Sequence, residues 1–574
     1  MAHRKTFILS IDSGCWDYLD PLLAQGRMPN LERLIQQGSR GVLESTIPPI
    51  TPVAFASFIT GLNPGKHGIF DWAVRRGRGF QSASAVSRRG TPFWHYLNAQ
   101  GVRVGLLNIP MTYPPQPLDG FLIAGIVVPR SARDFTYPRP LLEAIEQRHG
   151  PYEVEVSRRP APPDQCACPD GDLDLDVEDP VRPVAHGGDP EAYLQAWLEQ
   201  ERRQTDIALE LIDEYQVDVL AFNYVSLDRL NHFASCFEHV ERALENVDAQ
   251  IGRFMERFPE ANYIVMSDHG SRRIQGAFLL GKWLAEHGYL RYGEQNLRIP
   301  RHEVNFVLTR LFQEHYGWRG VGERIARRLV GSLLQVFPPA LLEPLWKRLA
   351  AQAPDAFTYR FTSRVDWPRT QVYARSPNGP LFINLRGRDE HGWVRPGRQY
   401  EAIREAVIAD LRRVRDPFTG EPLFQRIYRR EELYQGEAAA EAPDIILDPY
   451  GSSCDLIVDN SPQAFHFVNR LTRFGDHSHE GLFVLSGPDF ARLPDGEHRA
   501  SILDIPATLL HLYNVPIPEN FDGRVLTDLL AADFLRRHPV RTQAADGDGA
   551  GPQREYSDEE MAQLTEHLRE LGYL

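Results

Sequence analysis

The chain reads as an α/β protein, with a mostly parallel central sheet flanked by helices and with inserted helical and α/β subdomains. Two features of its 574 residues predict this. Short apolar runs recur and end on metal-binding residue types, as buried parallel strands do when they present a site at their carboxyl ends. The length also exceeds one ordinary core, so a large α/β domain carrying insertions is the natural reading.

Residues 6–12 (TFILSID) give the first such run, which closes on Asp12 before Ser13 and Gly14. Residues 102–109 (VRVGLLNI) give another, and Thr51 lies between the two. Residues 217–228 (VDVLAFNYVSLD) close on Asp228, with His232 four positions on. If a helix begins there, positions i and i+4 share a face, so Asp228 and His232 suit one ion. Residues 261–270 (ANYIVMSDHG) set Asp268 and His269 side by side at a strand exit, where neighbouring side chains diverge and need not share an ion. His477 stands in Gly475-Asp476-His477, just before the apolar run 481–486 (GLFVLS).

Each piece alone has a plainer explanation. An aspartate after a strand often caps a helix or forms a turn, and a lone D-x-x-x-H arises by chance. Together, Asp12, Thr51, Asp228, His232, Asp268, His269 and His477 make the donor set of a two-zinc site, since zinc takes histidine nitrogen and carboxylate oxygen. Paired metals hold the attacking and leaving oxygens of an in-line displacement at phosphorus. Thr51 before Pro52 also reads as a helix N-cap, and a helix N-terminus favours a phosphoryl charge in its own right.

The stretches ILSIDSG, MPNLERLIQQG, PPITPVAFASFITGLNPGKHGIFDW (48–72), SLDRLNH, SDHG, FGDHSHEGLFVLSGP and DIPATLLHLYNVPIPENFDGRVL (504–526) run in register from residue 6 to about 526. In them the chain resembles the alkaline phosphatase superfamily, in its type I phosphodiesterase/nucleotide pyrophosphatase branch. The resemblance implies an alkaline-phosphatase-like core and two divalent metal ions, zinc by preference. Asp228, His232 and His477 would hold one ion; Asp12, Asp268 and His269 would hold the other, with Thr51 approaching the second. It implies a metal-dependent hydrolase of phosphate esters, a phosphodiesterase or nucleotide pyrophosphatase, acting through a phosphothreonine on Thr51. A threonine hydroxyl is a poor nucleophile until a metal lowers its pKa.

One position departs from that branch. Its usual asparagine after the HG motif is replaced here by Trp72, whose indole donates one hydrogen bond and accepts none. Lys66 and Arg229 are candidate substrate-binding cations in its place, each weighed against being a solvated surface residue. The alternatives on the same site are a phosphomonoesterase, a phosphoryl-group transferase and a non-catalytic phospho-ligand-binding descendant. A sulfatase is disfavoured, because residues 51–55 (TPVAF) lack the C/S-x-P-x-R context. No arginine lies near Thr51 in sequence to grip a monoester fork-on-fork, which weakens a monoesterase.

A net charge of −14 argues against stable nucleic-acid binding and leaves a small phosphorylated substrate as the expected partner. The five cysteines (15, 166, 168, 236 and 454) are odd in number and lack framework spacing, and Cys166-Ala-Cys168 is a weak metal motif. The first strand begins almost at once, with no signal-peptide pattern, and no segment approaches ~20 uninterrupted apolar residues. A cytoplasmic protein without a transmembrane segment is the expectation.

The expected organisation is a first part of the catalytic core at 1–300, with a loop-rich excursion at about 150–190. A helical insertion at 301–365, an accessory α/β subdomain at 366–435, a last part of the core at 436–530 and a linker with a C-terminal helix at 531–574 follow. Strands are expected at 379–385 and 442–447 and a helix at 400–414. In the helical insertion Arg324, Arg327 and Arg328 stand near Leu329, Val330, Leu333 and Leu334. That basic amphipathic pattern at 301–350 suits a peripheral membrane or dimer contact, and also an ordinary cap helix. Ser557 and Glu560 form a capping box before a stripe of Met561, Leu564, Leu568 and Leu571. A helix so short must dock on the body or on a second subunit.

Overall fold

The computed structural model describes residues 4–126, 128–129, 131–156, 190–233, 237–292, 365–458, 467–468 and 475–545, with 557, 560–561 and 563–564 from the C-terminal stretch. A nine-stranded sheet organises it. Across the sheet the strands run Leu493–Ser501, Gly38–Glu44, Glu480–Ser486, Asn262–Met266, Thr6–Ile11, Val219–Tyr224, Val104–Ile109, Gly120–Ala124 and Thr136–Tyr137. The strands from Asn262–Met266 to Gly120–Ala124 are parallel to one another. Glu480–Ser486 runs antiparallel to both its neighbours.

The local sequence explains this layering. Thr6–Ile11, Val104–Ile109 and Val219–Tyr224 are buried at every position, as strands covered on both faces by helices must be. The amphipathic helix Phe237–Arg257 covers one face with Val240, Leu244, Val247, Ile251 and Phe254. The helix Thr51–Thr60 is apolar all round and buried at every residue, the pattern of a helix sunk in a core. Because Thr6–Ile11 pairs with Val219–Tyr224 on one side and Asn262–Met266 on the other, the three carboxyl ends meet at one edge of the sheet.

A second, four-stranded sheet forms the accessory subdomain, in the order Val372–Ala374, Pro380–Ile383, Ile445–Asp448, Arg426–Arg429. Leu381, Ile383 and Leu447 share a core there with Val407, Ile408 and Leu411 of the helix Arg398–Leu411. Ile445–Asp448, expected in the last part of the catalytic core, pairs antiparallel with Pro380–Ile383 and Arg426–Arg429 instead. Its four residues are all buried, and such a run fits either sheet equally well from sequence.

The hairpin Ala73–Arg76/Gly79–Ser82 leaves the core and meets this subdomain, where Arg75 pairs with Asp389 at 3.0 Å and Phe80 lies edge-on to Phe382. The helical insertion expected at 301–365, apart from Val365, most of the 150–190 excursion, and Cys166, Cys168 and Cys236 lie outside the described residues. At the C-terminus, Ser557 and Glu560 make the reciprocal capping bonds at 2.8 and 3.2 Å. Leu564 is fully buried in the main core, and Gln563 accepts from Ser131 Oγ at 2.7 Å. Among the described residues no helix is long and apolar enough to cross a membrane.

Candidate active site

Asp12 extends the parallel ladder one residue beyond Thr6–Ile11, its N–H donating to the Tyr224 carbonyl at 2.9 Å. Its Oδ2 accepts from Asn223 Nδ2 at 2.9 Å, a side chain from the adjoining strand. The helix Ser226–Phe233 begins just past Val219–Tyr224, and Glu201 Oε1 accepts from Ser226 N at its first turn. The i, i+4 spacing then brings His232 Nε2 to 3.2 Å from Asp228 Oδ1. Asp268 and His269 follow the strand Asn262–Met266 after a single residue, Ser267.

His477 arrives by a short strand of its own. Gly475–Ser478 pairs antiparallel with Gly270–Arg273, which puts His477 opposite Ser271 and so beside His269. Gly270 permits this: a Cβ there would stand 2.1 Å from the Glu480 carbonyl oxygen. His232 Nε2 and His477 Nε2 are 3.0 Å apart, and His477 Nε2 lies 3.6 Å from Asp228 Oδ1. The ligand atoms of Asp12, Asp268 and His269 also lie within 4.8 Å of one another.

Thr51 is the first residue of its helix. Ile50, in extended conformation, is the N-cap. The N-cap reading is therefore corrected by one position. Pro52 occupies a first-turn position that needs no N–H, and Thr51 Oγ1 is left facing His269 Nε2 at 3.3 Å.

The donor set fits a pair of divalent cations. Asp12, Asp228, Asp268, His232, His269 and His477 are all at most 2 % exposed. Among the described residues, Asp12 Oδ1, Asp268 Oδ2 and His477 Nδ1 are buried with no hydrogen-bond partner, a costly state that a bound cation relieves at the carboxylates. His269 and His232 turn Nδ1 toward the carbonyls of Gly270 (3.1 Å) and Gly475 (3.3 Å). A carbonyl only accepts, so each ring donates from Nδ1 and keeps an Nε2 lone pair for a metal.

Electrostatics agree with a site built for positive charge. Burial, then the charges of Asp268 and Asp228, hold the Asp12 carboxyl well above its usual value. Burial and Asp228 push Asp268 up to about 8. Burial alone would raise Asp228 too, but His232, His477 and Arg229 outweigh it and keep that carboxyl well below the usual range. Burial, then the charge of His269, lowers His477 to about 3.

The remaining candidates are placed less uniformly. Arg229 is 1 % exposed, not a solvated surface residue: Nη2 donates to Glu155 at 2.7 Å and Nη1 lies 3.8 Å from Asp228 Oδ2. Lys66 is held by Asp522 at 2.6 Å and by the Asn520 carbonyl at 2.8 Å. Trp72 is buried, its backbone N–H donating to Asp71 Oδ1 at 2.8 Å.

Sequence reasoning did not single out Ser13, whose Oγ donates to Asp228 Oδ1 at 2.8 Å and whose N–H reaches Asp268 Oδ1 at 3.4 Å, linking the two ligand groups. Asp476 was also missed; His232, Asp476 and His477 bring their ligand atoms within 4.8 Å of one another, as do Asp228, His269 and His477. Adjacency to His477 was its only sequence signal. Arg272 holds Asp476 at 3.0 Å, and its Nε donates to the His477 carbonyl.

A stretch of 108 residues is 32% identical to the 2,3-bisphosphoglycerate-independent phosphoglycerate mutase of Haloquadratum walsbyi, covering 18% of this chain and 21% of the mutase. The human ectonucleotide pyrophosphatase/phosphodiesterase 5 structure aligns over 92% of this chain and 100% of its own at 12% identity, with a TM-score of 0.45. An inactive murine form of the same protein, in complex with AMP, aligns over the same shares at 12% identity with a TM-score of 0.47. Residues 6–465 match the type I phosphodiesterase/nucleotide pyrophosphatase family, and the chain belongs to it.

Proposed function

We propose that the chain is a two-metal phosphoric ester hydrolase of the phosphodiesterase/pyrophosphatase type, with Thr51 as its nucleophile. The observation that carries the reading is Thr51 Oγ1, set at the first turn of a wholly buried helix and 3.3 Å from a candidate ligand, His269. A hydroxyl fixed there, beside a candidate metal ligand, is placed where a metal-activated nucleophile is needed.

Asp228, His232 and His477 would hold one ion, and Asp12, Asp268 and His269 the other. When bound, two zinc ions supply Lewis acidity that lowers the pKa of a hydroxyl and offsets charge at phosphorus. Thr51 Oγ attacks phosphorus, the bond to the leaving oxygen breaks, and a phosphothreonine forms. Water then attacks the same phosphorus and restores the hydroxyl. The N-terminal end of Thr51–Thr60 favours the phosphoryl charge throughout. Ser13 keeps Asp228 and Asp268 in register, and Arg229 offsets the Asp228 charge from behind. A substrate-binding role for Lys66 requires it to release Asp522.

A second reading, phosphoryl transfer to an acceptor other than water, draws on the stretch shared with the mutase. Zinc-loaded protein assayed with bis(4-nitrophenyl) phosphate, 4-nitrophenyl phosphate and added alcohol acceptors separates the two. The expected outcome is diester hydrolysis that chelation abolishes. Thr51→Ala should lower turnover on the order of 10⁴-fold or more while zinc content and folding persist. Wild-type turnover by Thr51→Ala would overturn the covalent reading.

A further inference from the structure

The loop after Gly79–Ser82 buries a guanidinium that no carboxylate among the described residues pairs with. Arg88 is 5% exposed; among the described residues Nε has no hydrogen-bond partner and Nη1 meets only the Gly90 carbonyl, at 3.4 Å. Burial lowers its pKa to about 10 and no carboxylate opposes that shift. The histidines His67 and His95 feel it: burial and then the Arg88 charge lower both and keep them neutral.

The other deeply buried arginines show what is missing. Arg229 has Glu155, Arg404 has Glu431, and Arg75 has Asp389, each within 3.0 Å. A buried charge is ordinarily paired, because water solvated it before folding. The Trp94 ring centroid lies 6.0 Å from Arg88 Cζ, at the limit of a cation–π contact. The Gly90 bond is longer than normal hydrogen bonds. Neither compensates a full charge. Trp94 is itself buried, and its indole Nε1 has no hydrogen-bond partner among the described residues. Two neighbouring side chains thus offer donors and no acceptor.

We infer that Arg88 and Trp94 form an anion-binding site, separate from the candidate metal centre, for an oxyanion of the phosphate class. Separation follows from the helix Thr51–Thr60. His67, which Arg88 influences, bonds Ser57 at 2.9 Å, and Gly90 lies against Thr60 and Leu62. At 1.5 Å rise per residue, Ser57 and Thr60 are about 9 and 13 Å along the helix from Thr51. The candidate metal centre sits at one end of that helix and Arg88 beside the other.

Equilibrium dialysis of the metal-loaded full chain against radiolabelled inorganic phosphate tests this. Wild type should bind one phosphate per chain more than Arg88→Met, whose own zinc content and catalytic groups are untouched. Arg88→Lys, which keeps the charge, should restore part of the affinity, and Trp94→Phe should weaken the extra site several-fold. A repeat with glycerol phosphate distinguishes sources: equal binding points to a phosphorylated organic ligand, and its absence to the free anion. Equal stoichiometry in wild type and Arg88→Met overturns the site. Should Arg88→Met fail to fold, unchanged phosphate affinity in Trp94→Phe overturns the donor pair by itself.

Discussion

At the scale of residues, the candidate centre is a problem of crowded negative charge. Asp12, Asp228 and Asp268 are buried together, and only Asp228 has enough cationic company to stay readily ionised without metal. Asp268→Asn should therefore cost metal occupancy as well as rate, and elemental analysis of the purified variant should find less than the wild-type zinc content. Unchanged zinc content would remove Asp268 from the ligand set. Thr51→Ser, which keeps the hydroxyl and loses a methyl, should retain measurable hydrolysis in a steady-state assay. The ligand candidates were legible in sequence because each closes an apolar run or neighbours one that does. Ser13, Asn223 and Asp476 were not, since a hydroxyl, amide or spare carboxylate announces nothing until its neighbour across the sheet is known. The burial of Arg229 was not legible for the same reason: its partner Glu155 stands 74 positions away in sequence.

At the scale of elements, His477 depends on a two-stranded ribbon rather than on the main sheet. Arg272 ties that ribbon to the accessory subdomain, donating to the carbonyls of His477 (3.0 Å), Ser452 (2.5 Å) and Cys454 (3.1 Å) and to Asp476. Arg272→Met should weaken zinc affinity about tenfold or more, as loss of groups that orient ligands commonly does. Competition with a chromophoric chelator reads this directly, and wild-type affinity in the variant would show that the ribbon holds itself. Gly270→Ala should be harsher, because the added methyl meets Glu480 backbone. The ribbon was invisible in sequence: Gly475-Asp476-His477 looks like a turn before a strand. The helix at 400–414 was readable, and appears as Arg398–Leu411. Sheet membership of Ile445–Asp448 was not, because a short apolar run carries no record of its partner.

At the scale of the whole molecule, the buried acids link folding to pH and metal. Burial, then the charge of Asp228, pushes Asp268 up to about 8 in the folded chain, against 3.8 for an ordinary aspartate, and Asp12 is raised as well. Between about pH 4 and 8 the metal-free folded state thus binds more protons than the unfolded chain. These groups therefore make it less stable as pH rises through that window. Asp228, held low, contributes in the opposite sense and is lost only on acidification. Divalent ions bind the deprotonated carboxylates, so the gain in Tm on adding zinc to chelator-stripped protein should be larger at pH 8 than at pH 6. Equal gains at the two pH values would mean that no proton leaves when metal binds. The α/β class and the parallel core followed from buried apolar runs that helices must cover. The place of the accessory sheet beside the centre did not, because it depends on contacts such as Arg75–Asp389.

The covalent role of Thr51 is tested most directly by trapping. Zinc-loaded protein mixed with bis(4-nitrophenyl) phosphate, quenched in acid during turnover and digested for peptide mass spectrometry, should yield a phosphorylated peptide with the added group on Thr51. The adduct should be missing from Thr51→Ala. Sustained hydrolysis by wild type, with no phosphoryl group on Thr51 at any quench time, would contradict the nucleophile assignment and favour direct attack by water.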